Sequence, residues 1–142
     1  MKNKATPKTP RQIVYERALP FAEKNYKKIS VIMGRYDGSQ KCQHVARHTL
    51  EEGADTVAIT LSFVPKSGVN VHFINRIGKK YIDHTLGYLS KRNTYYLMSE
   101  HSLKELRDTL MSKMLENTKE EVLSKLFTKK ERKDFDIDHS HI

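Results

Sequence analysis

A lone cysteine, a histidine and an aspartate are the residues whose types and spacing could do chemistry. Cys42 is the single cysteine of the 142-residue chain, and the segment VNVHFINRIGKKYIDHTLG, residues 69–87, carries His72 and Asp83. A thiolate is a nucleophile, a histidine can take the thiol proton and pass it to a leaving group, and a carboxylate can fix the histidine's tautomer. The three residue types predict thiol chemistry if the fold brings them together.

Cys42 lies near the start of a predicted helix. In DGSQKCQHVARHTLEEGA, residues 37–54, the apolar positions recur at helical spacing from Cys42 to Leu50, and Ser39 is the predicted N-cap. The first turn of a helix stabilises a thiolate through its unpaired backbone N–H groups and the positive end of the dipole. A single cysteine on an apolar helix face is more often a small buried residue, so this position alone does not identify a nucleophile.

The relation of His72 to Asp83 depends on the turn between two predicted strands. With Ile77 and Gly78 as a two-residue turn, Arg76 pairs with Lys79 and His72 lies directly opposite Asp83. Directly opposed side chains share a face of the sheet, with Cβ atoms about 4.5 to 5.5 Å apart. A three-residue turn would instead place the two side chains on opposite faces.

The order of these residues resembles a known family. The stretches GSQKCQHVARHTLEEGA, VNVHFIN and KKYIDHTLG, within residues 38–87, look like the transglutaminase-like core of the papain-like cysteine enzymes. The resemblance implies that Cys42 is the nucleophile, that His72 is the acid/base and that Asp83 orients the histidine. It also implies a cysteine-bearing helix packed on a sheet.

The chain departs from the family pattern at several positions. Tryptophan is absent, Phe73 is the aromatic residue next to the histidine, and His84 follows the aspartate where the family has proline. Tyr81 occupies a position where the family often has an aromatic residue. An oxyanion hole needs a second donor besides the backbone N–H of the cysteine, and Gln40 is a candidate for it.

The remaining pattern predicts an α+β fold in which the cysteine-bearing helix packs on a small antiparallel sheet, with further helices at the C-terminal end. Thr9, Pro10 and Gln12 predict a helix start, and Pro20 predicts its end after Leu19. Residues 55–64 and 93–99 read as strands, whereas residues 27–36 fit a strand or a buried helix. Three S/T-x-x-E capping boxes, at residues 102–105, 118–121 and 128–131, predict helix starts. We expect a disordered basic arm over residues 1–8, one domain over 9–135 and a flexible tail over 136–142.

Composition limits the class of protein. No apolar run approaches the roughly 18 residues of a membrane span, and no apolar segment of a signal peptide follows the basic N-terminal residues. One cysteine suits a reducing compartment, so we expect a cytoplasmic protein without membrane partners. The net charge of +9 predicts attraction to acidic partners or polyanions. No RNP, KH or paired zinc-finger motif accompanies that charge.

Two functions from different classes remain. The first is a thiol enzyme that forms an acyl-enzyme at Cys42 and passes the acyl group to water or to an amine. Hydrolysis of a peptide or isopeptide bond is the favoured outcome, with a protein or peptide substrate that could be acidic. The alternative is a non-catalytic basic module that contacts nucleic acid or an acidic protein. His44 and His48 share a helix face, and a second group lies in the C-terminal segment: Asp136, Asp138, His139 and His141. Solvated side chains are the favoured reading of both groups, so we expect no cofactor and no metal.

Overall fold

Helices packed on a β-sheet make up the part of the chain that the structure describes. The structure is a computed structural model that describes residues 7–34, 41–86 and 91–142. Within these ranges the elements are, in chain order, α1 Pro10–Asn25, β1 Lys27–Ile29, β2 Val31–Met33, α2 Cys42–Glu51, β3 Thr56–Val64, β4 Gly68–Ile77, β5 Lys80–Asp83, β6 Thr94–His101, α3 Met111–Leu126 and α4 Lys129–Asp134, followed by a 3₁₀ turn over His139–His141. The presence of both α-helices and a β-sheet agrees with the predicted α+β class.

The sheet has the strand order β1-β6-β3-β4-β5-β2 across the described residues. Its ladders are antiparallel except for that between β2 and β5, which run parallel. We predicted an antiparallel sheet of three or four strands, so the structure corrects both the size and the strand directions. Parallel strands need a long crossover connection. Here α2, β3 and β4 supply it, because they lie between β2 and β5 in sequence.

The two central strands are buried on both faces. Odd-numbered residues of β3 and β4, such as Leu61 and Phe73, pack with apolar side chains of α1, α2 and α3 in the main core. Even-numbered residues point the other way, because side chains alternate along a strand. Ala58, Ile74 and Tyr95 form the centre of a smaller cluster on that second face. His72 is even-numbered, so the histidine belongs to the second face.

Helix α1 begins as predicted and ends later than predicted. Thr9 and Gln12 form the reciprocal hydrogen bonds of a capping box, with Pro10 at the first helical position. The helix continues through Pro20 to Asn25, so the predicted end at Leu19 is wrong. Proline removes its own backbone hydrogen bond and its ring crowds the carbonyl four residues earlier, so the helix needs packing to continue past it. Ala18 and Ala22, both fully buried in the main core, hold the helix against the sheet on either side of it.

The C-terminal capping boxes have different outcomes. Thr128 and Glu131 cap α4 as predicted. Ser102 and Glu105 form the same pair of hydrogen bonds, but around a short turn, and the next α-helix begins at Met111. Thr118 lies inside α3 and its hydroxyl donates to the carbonyl of Met114, so that predicted start is wrong.

The segment after α4 is packed rather than loose. Ile137 and Ile142 are buried in the main core, and the side chain of Asp138 caps the final 3₁₀ turn. Arg11 donates to the carbonyl of Ser140 at 2.9 Å, which ties the segment to α1. The flexible tail predicted over residues 136–142 is therefore corrected, because its two isoleucines bury apolar surface. Most of the predicted N-terminal arm lies outside the described residues. Across those residues, no helix combines the length and apolar character needed to cross a membrane.

Candidate active site

The hairpin that carries His72 and Asp83 turns one residue later than predicted. Ile77 pairs with Lys80 and Arg76 with Tyr81, so the turn consists of Gly78 and Lys79. Gly78 has a φ of 59°, which glycine adopts at little cost. The predicted turn at Ile77 and Gly78 is wrong because the β-branched Ile77 continues the strand and the glycine takes the first turn position.

Moving a two-residue turn by one position changes the pairing by two residues and keeps each side chain on its face. Asp83 therefore comes level with Ile74, and His72 is the next residue of β4 on the same face. The direct opposition that we predicted is replaced by a diagonal relation. His72 Nε2 and Asp83 Oδ2 nevertheless lie 2.8 Å apart, so the two side chains are hydrogen-bonded.

The carboxylate of Asp83 is enclosed by hydrogen-bond donors. Its Oδ2 accepts from His72 and from the hydroxyl of Tyr95, the latter at 2.7 Å. Its Oδ1 accepts from the backbone N–H groups of Thr85 and Leu86 at 2.9 and 3.1 Å. Burial alone would raise the pKa of this fully buried carboxyl, but the hydrogen bond and charge of His72, with the other donors, hold the pKa at about 2. Asp83 is a fixed anion at neutral pH.

Tyr95 is a site residue that sequence reasoning missed. It lies on β6 opposite Ser62 of β3, and its side chain is buried in the second-face cluster. Burial and the neighbouring Asp83 charge raise the pKa of its phenol, so the hydroxyl stays protonated and donates. The alternation of the YY pair could have placed Tyr95 and Tyr96 on opposite faces, but not Tyr95 beside Asp83, because that contact spans the sheet.

Cys42 is the first residue of α2, as the sequence predicted for the opening turn of that helix. The N-cap is Lys41, not Ser39, and it makes no side-chain capping bond. Ser39 and the oxyanion candidate Gln40 lie outside the described residues. Cys42 is partly buried against the main core, so its sulfur is not fully surrounded by solvent.

The early end of β5 lets Cys42 reach a residue on the other face of the sheet. The ladder between β4 and β5 extends from Ile77 only to Asn75, and beyond it that edge of β4 is open to other partners. The backbone N–H of Phe73 points to Cys42 as a hydrogen-bond donor, and that of Val71 donates to the carbonyl of Ile142 at 3.4 Å. The first turn of α2 thus lies at the edge of β4, beside His72.

The thiol and the imidazole favour the ion-pair form. Burial raises the pKa of the Cys42 thiol, but the hydrogen bond and positive charge of His72 and the N–H of Phe73 more than offset it, so the pKa lies below its usual value. Burial lowers the pKa of His72, yet hydrogen bonds to Asp83 and Cys42 raise it to about 10. Because Nε2 is bonded to Asp83, Nδ1 is the ring nitrogen left for the thiol.

A cleft of about 1080 Å³ opens over the two residues. It is lined by Cys42 and His72 and by parts of β3, β4, α3 and the C-terminal segment. Three cationic side chains from separate parts of the chain line the cleft: Lys41, Arg92 and Lys119. One carboxylate, that of Glu116, also lines it. The cleft is large enough for several residues of an extended peptide and has a positive charge balance.

The other polar groups of the sequence form local pairs. His48 Nε2 lies 2.8 Å from Glu52 Oε1 in the next turn of α2. In the C-terminal segment, Asp138 Oδ1 accepts from the backbone N–H of Ser140 at 2.8 Å. Over residues 7–34, 41–86 and 91–142, no group of three or more His, Cys, Asp or Glu side chains is placed to hold a metal ion.

Comparison with known proteins identifies no relative. A scan against protein-family models, a search of curated proteins and a search of solved structures each gave no match to this chain. The resemblance to the transglutaminase-like core therefore stays an expectation from the sequence. Any function has to be argued from the geometry of Cys42, His72 and Asp83.

Proposed function

We propose that the chain is a thiol enzyme of the transglutaminase-like or papain-like type, which forms an acyl-enzyme at Cys42 and hydrolyses a peptide or isopeptide bond. The observation that carries the proposal is that Cys42 and His72 line the same cleft, while His72 Nε2 is hydrogen-bonded to Asp83 Oδ2 at 2.8 Å. At neutral pH Asp83 is ionised and His72 is protonated, and the pKa of the Cys42 thiol lies below its usual value. The fold proposal follows from the same arrangement, since α2 presents its first residue to a histidine of the sheet.

The reaction divides into two steps. The Cys42 sulfur attacks the carbonyl carbon of the substrate amide, forming a C–S bond and moving the carbonyl π pair to oxygen. When that pair returns, the C–N bond breaks and the leaving amine takes the proton of the His72 imidazolium. A water molecule then gives its proton to the neutral His72 and attacks the thioester, which releases the acid and regenerates the thiolate. Asp83 keeps His72 in the tautomer that both steps need.

The substrate that fits best is an acidic peptide or protein segment. Among the described residues, neither Lys41 nor Arg92 has a carboxylate partner, although both line the cleft with the nucleophile. Lys119 donates to the carbonyl of His139 at 3.3 Å, so its charge is also not neutralised by that contact. A substrate carboxylate would supply the missing partner. A thiolate nucleophile also requires a reducing compartment, and we propose the cytoplasm.

The test is acylation of the folded protein by p-nitrophenyl acetate at neutral pH, compared with acylation of free cysteine. We expect a stoichiometric burst of p-nitrophenolate that is faster than the free-cysteine reaction and absent in Cys42→Ala. Cys42→Ser supplies a matched variant that keeps the size and removes the thiolate. An acylation rate equal to or below that of free cysteine would refute the proposal.

The rival function is a basic binding module without catalysis. The net charge of +9 favours it, because unpaired lysine and arginine side chains attract nucleic acid. Labelled single- and double-stranded oligonucleotides titrated at two salt concentrations would test it. Tight, salt-dependent binding that Cys42→Ala leaves unchanged, together with a slow acylation, would favour the binding module. Absence of binding at low salt would remove this rival.

A further inference from the structure

Gln43 is a buried polar residue at the nucleophile that the steps above do not use. It follows Cys42 in α2, is 4% exposed and lines the cleft. Its Oε1 accepts from the Cys42 thiol, with 3.7 Å between oxygen and sulfur. In the described part of the chain, the carboxamide has no second polar partner.

An amide group in this position is costly unless something bonds to it. A carboxamide carries two N–H donors and one acceptor oxygen, and burying these groups without partners destabilises the folded protein. Leu50 and Ala46, the other buried residues of α2, are apolar and fill the same side of the helix. An apolar residue would serve packing equally well at Gln43, so the carboxamide points to a ligand in the cleft.

The charge on the sulfur decides which end of the carboxamide faces it. A thiol donates its proton and suits Oε1, as in the observed contact. A thiolate has no proton, so it can only accept. Half a turn about the Cγ–Cδ bond exchanges Oε1 and Nε2 and places an N–H donor where the oxygen was. The same buried side chain can therefore serve both states of Cys42.

We infer that Gln43 is a catalytic residue whose Nε2–H donates first to the Cys42 thiolate and then to the oxyanion of the tetrahedral intermediate. The inference rests on the proposed function. When the C–S bond forms, the carbonyl π pair becomes a lone pair on oxygen, two bonds away from Sγ. Oxyanion donors act at about 2.7 to 3.1 Å, and a donor 3.7 Å from Sγ comes within that reach when the new oxygen is turned toward Gln43.

A second donor is already present at the same place. Cys42 is the first residue of α2, and its backbone N–H has no partner within the helix. The Cys42 N–H and the Gln43 carboxamide would then hold the oxyanion together. Gln43, the residue that follows the nucleophile, thereby takes the role that we predicted for Gln40.

The test compares two reagents that differ in one respect. p-Nitrophenyl acetate reacts through a tetrahedral oxyanion, whereas iodoacetamide alkylates sulfur by direct displacement and forms none. Both second-order rate constants are measured against pH and expressed per thiolate. Gln43→Met keeps the length and volume of the side chain and removes the donor, and Asn117→Leu removes an exposed carboxamide from α3 as the control.

We expect Gln43→Met to lower the acylation rate constant by roughly 10² to 10³-fold, to change the alkylation constant per thiolate by less than about threefold, and to raise the pKa of the thiol. Equal changes in both reactions, or no change in acylation, would overturn the inference. If Gln43→Met fails to fold, Gln43→Leu decides by the same ratio, because leucine is of similar size, uncharged and has no donor.

The outcome for Gln43 is separate from the outcome for the proposed function. If the unaltered protein is acylated no faster than free cysteine, the proposed function fails, and the inference about Gln43 is overturned with it. If the unaltered protein is acylated rapidly and Gln43→Met is acylated equally fast, Cys42 keeps its role and the inference about Gln43 alone is overturned.

Discussion

Replacing Asp83 by asparagine removes one charge at the centre of the site. The carboxyl of Asp83 has a pKa of about 2 in the folded protein, against 3.8 for the isolated side chain. One pKa unit corresponds to about 1.4 kcal/mol. The folded protein therefore stabilises this carboxylate by roughly 2 to 3 kcal/mol. The pKa of His72 is about 10, further from its ordinary value than that of Asp83, because the ring also bonds Cys42. The pKa of Asp83 is therefore the better measure of the His72–Asp83 interaction.

The amide of Asp83→Asn can be accommodated without unfolding. Its oxygen can replace Oδ1, which accepts from the backbone N–H groups of Thr85 and Leu86. Its NH₂ then replaces Oδ2 and donates to His72 Nε2, which moves the ring proton to Nδ1. Nδ1 is the nitrogen left for Cys42, so the histidine can no longer accept the thiol proton. The variant should fold and hold the wrong tautomer, as in other triads of this kind.

We expect Asp83→Asn to lower the free energy of unfolding by about 2 to 3 kcal/mol at pH 7. Because the folded pKa is depressed, this contribution is complete above about pH 5, and it is lost as the pH falls toward 2. About half should remain at pH 3. Urea unfolding at pH 7 and pH 3 measures the difference, with the exposed Asp108→Asn as control. Acylation of Cys42 should fall on the order of 10⁴-fold.

Two results would refute this reasoning. One is a stability difference below about 1 kcal/mol at pH 7 that does not depend on pH, since the carboxylate would then gain nothing from its surroundings. The other is an Asp83→Asn protein that folds and is acylated at the rate of the unaltered protein. In that case His72 does not depend on Asp83 for its tautomer.

Three further predictions concern single groups of the structure. The alkylation of Cys42 by iodoacetamide should have a midpoint below about pH 8.5 and return to the ordinary value in denaturing urea; an unchanged midpoint in the folded protein would contradict the ion pair. Tyr95→Phe should lower the free energy of unfolding by about 1.5 to 3 kcal/mol. Tyr81→Phe loses a partly exposed hydrogen bond to a carboxylate and should lower it by less than about 1 kcal/mol. Equal losses in urea unfolding would contradict the special role of the buried hydroxyl. Ile142→Ala should lower the free energy of unfolding by about 2 to 5 kcal/mol, and the exposed Leu110→Ala should lower it by less than about 0.5 kcal/mol. Thermal unfolding measures both, and equal losses would contradict the packing of the C-terminal segment.

Features set by local sequence were predictable. The capping residues Thr9 and Thr128 bond to backbone groups three residues away, so their pattern is visible in a short window. The periodicity that begins at Cys42 identified α2, because one apolar face of a helix repeats every three or four residues. Alternating and β-branched runs identified β3 and β6, because this pattern is also visible in a short window of sequence.

Features set by contacts between distant segments were not predictable in detail. The helix continues through Pro20 because packing of its neighbours on the sheet outweighs the loss of one hydrogen bond. The turn at Gly78 depends on a choice between adjacent positions that differ by a small energy. Tyr95 and Ile142 reach the site from strands and segments far away in sequence, and no local pattern reports such contacts.

The short length of β5 has a consequence for how the protein can be altered. Its ladder with β4 stops at Asn75, and the N–H of Phe73 is thereby left to Cys42. If β5 were extended by two more ladder pairs, so that residue 84 came opposite Phe73, its backbone would compete for that N–H and separate α2 from His72. The reactive centre therefore depends on a strand that ends early, and inserting residues after Asp83 is a way to inactivate the protein without changing any residue of the site.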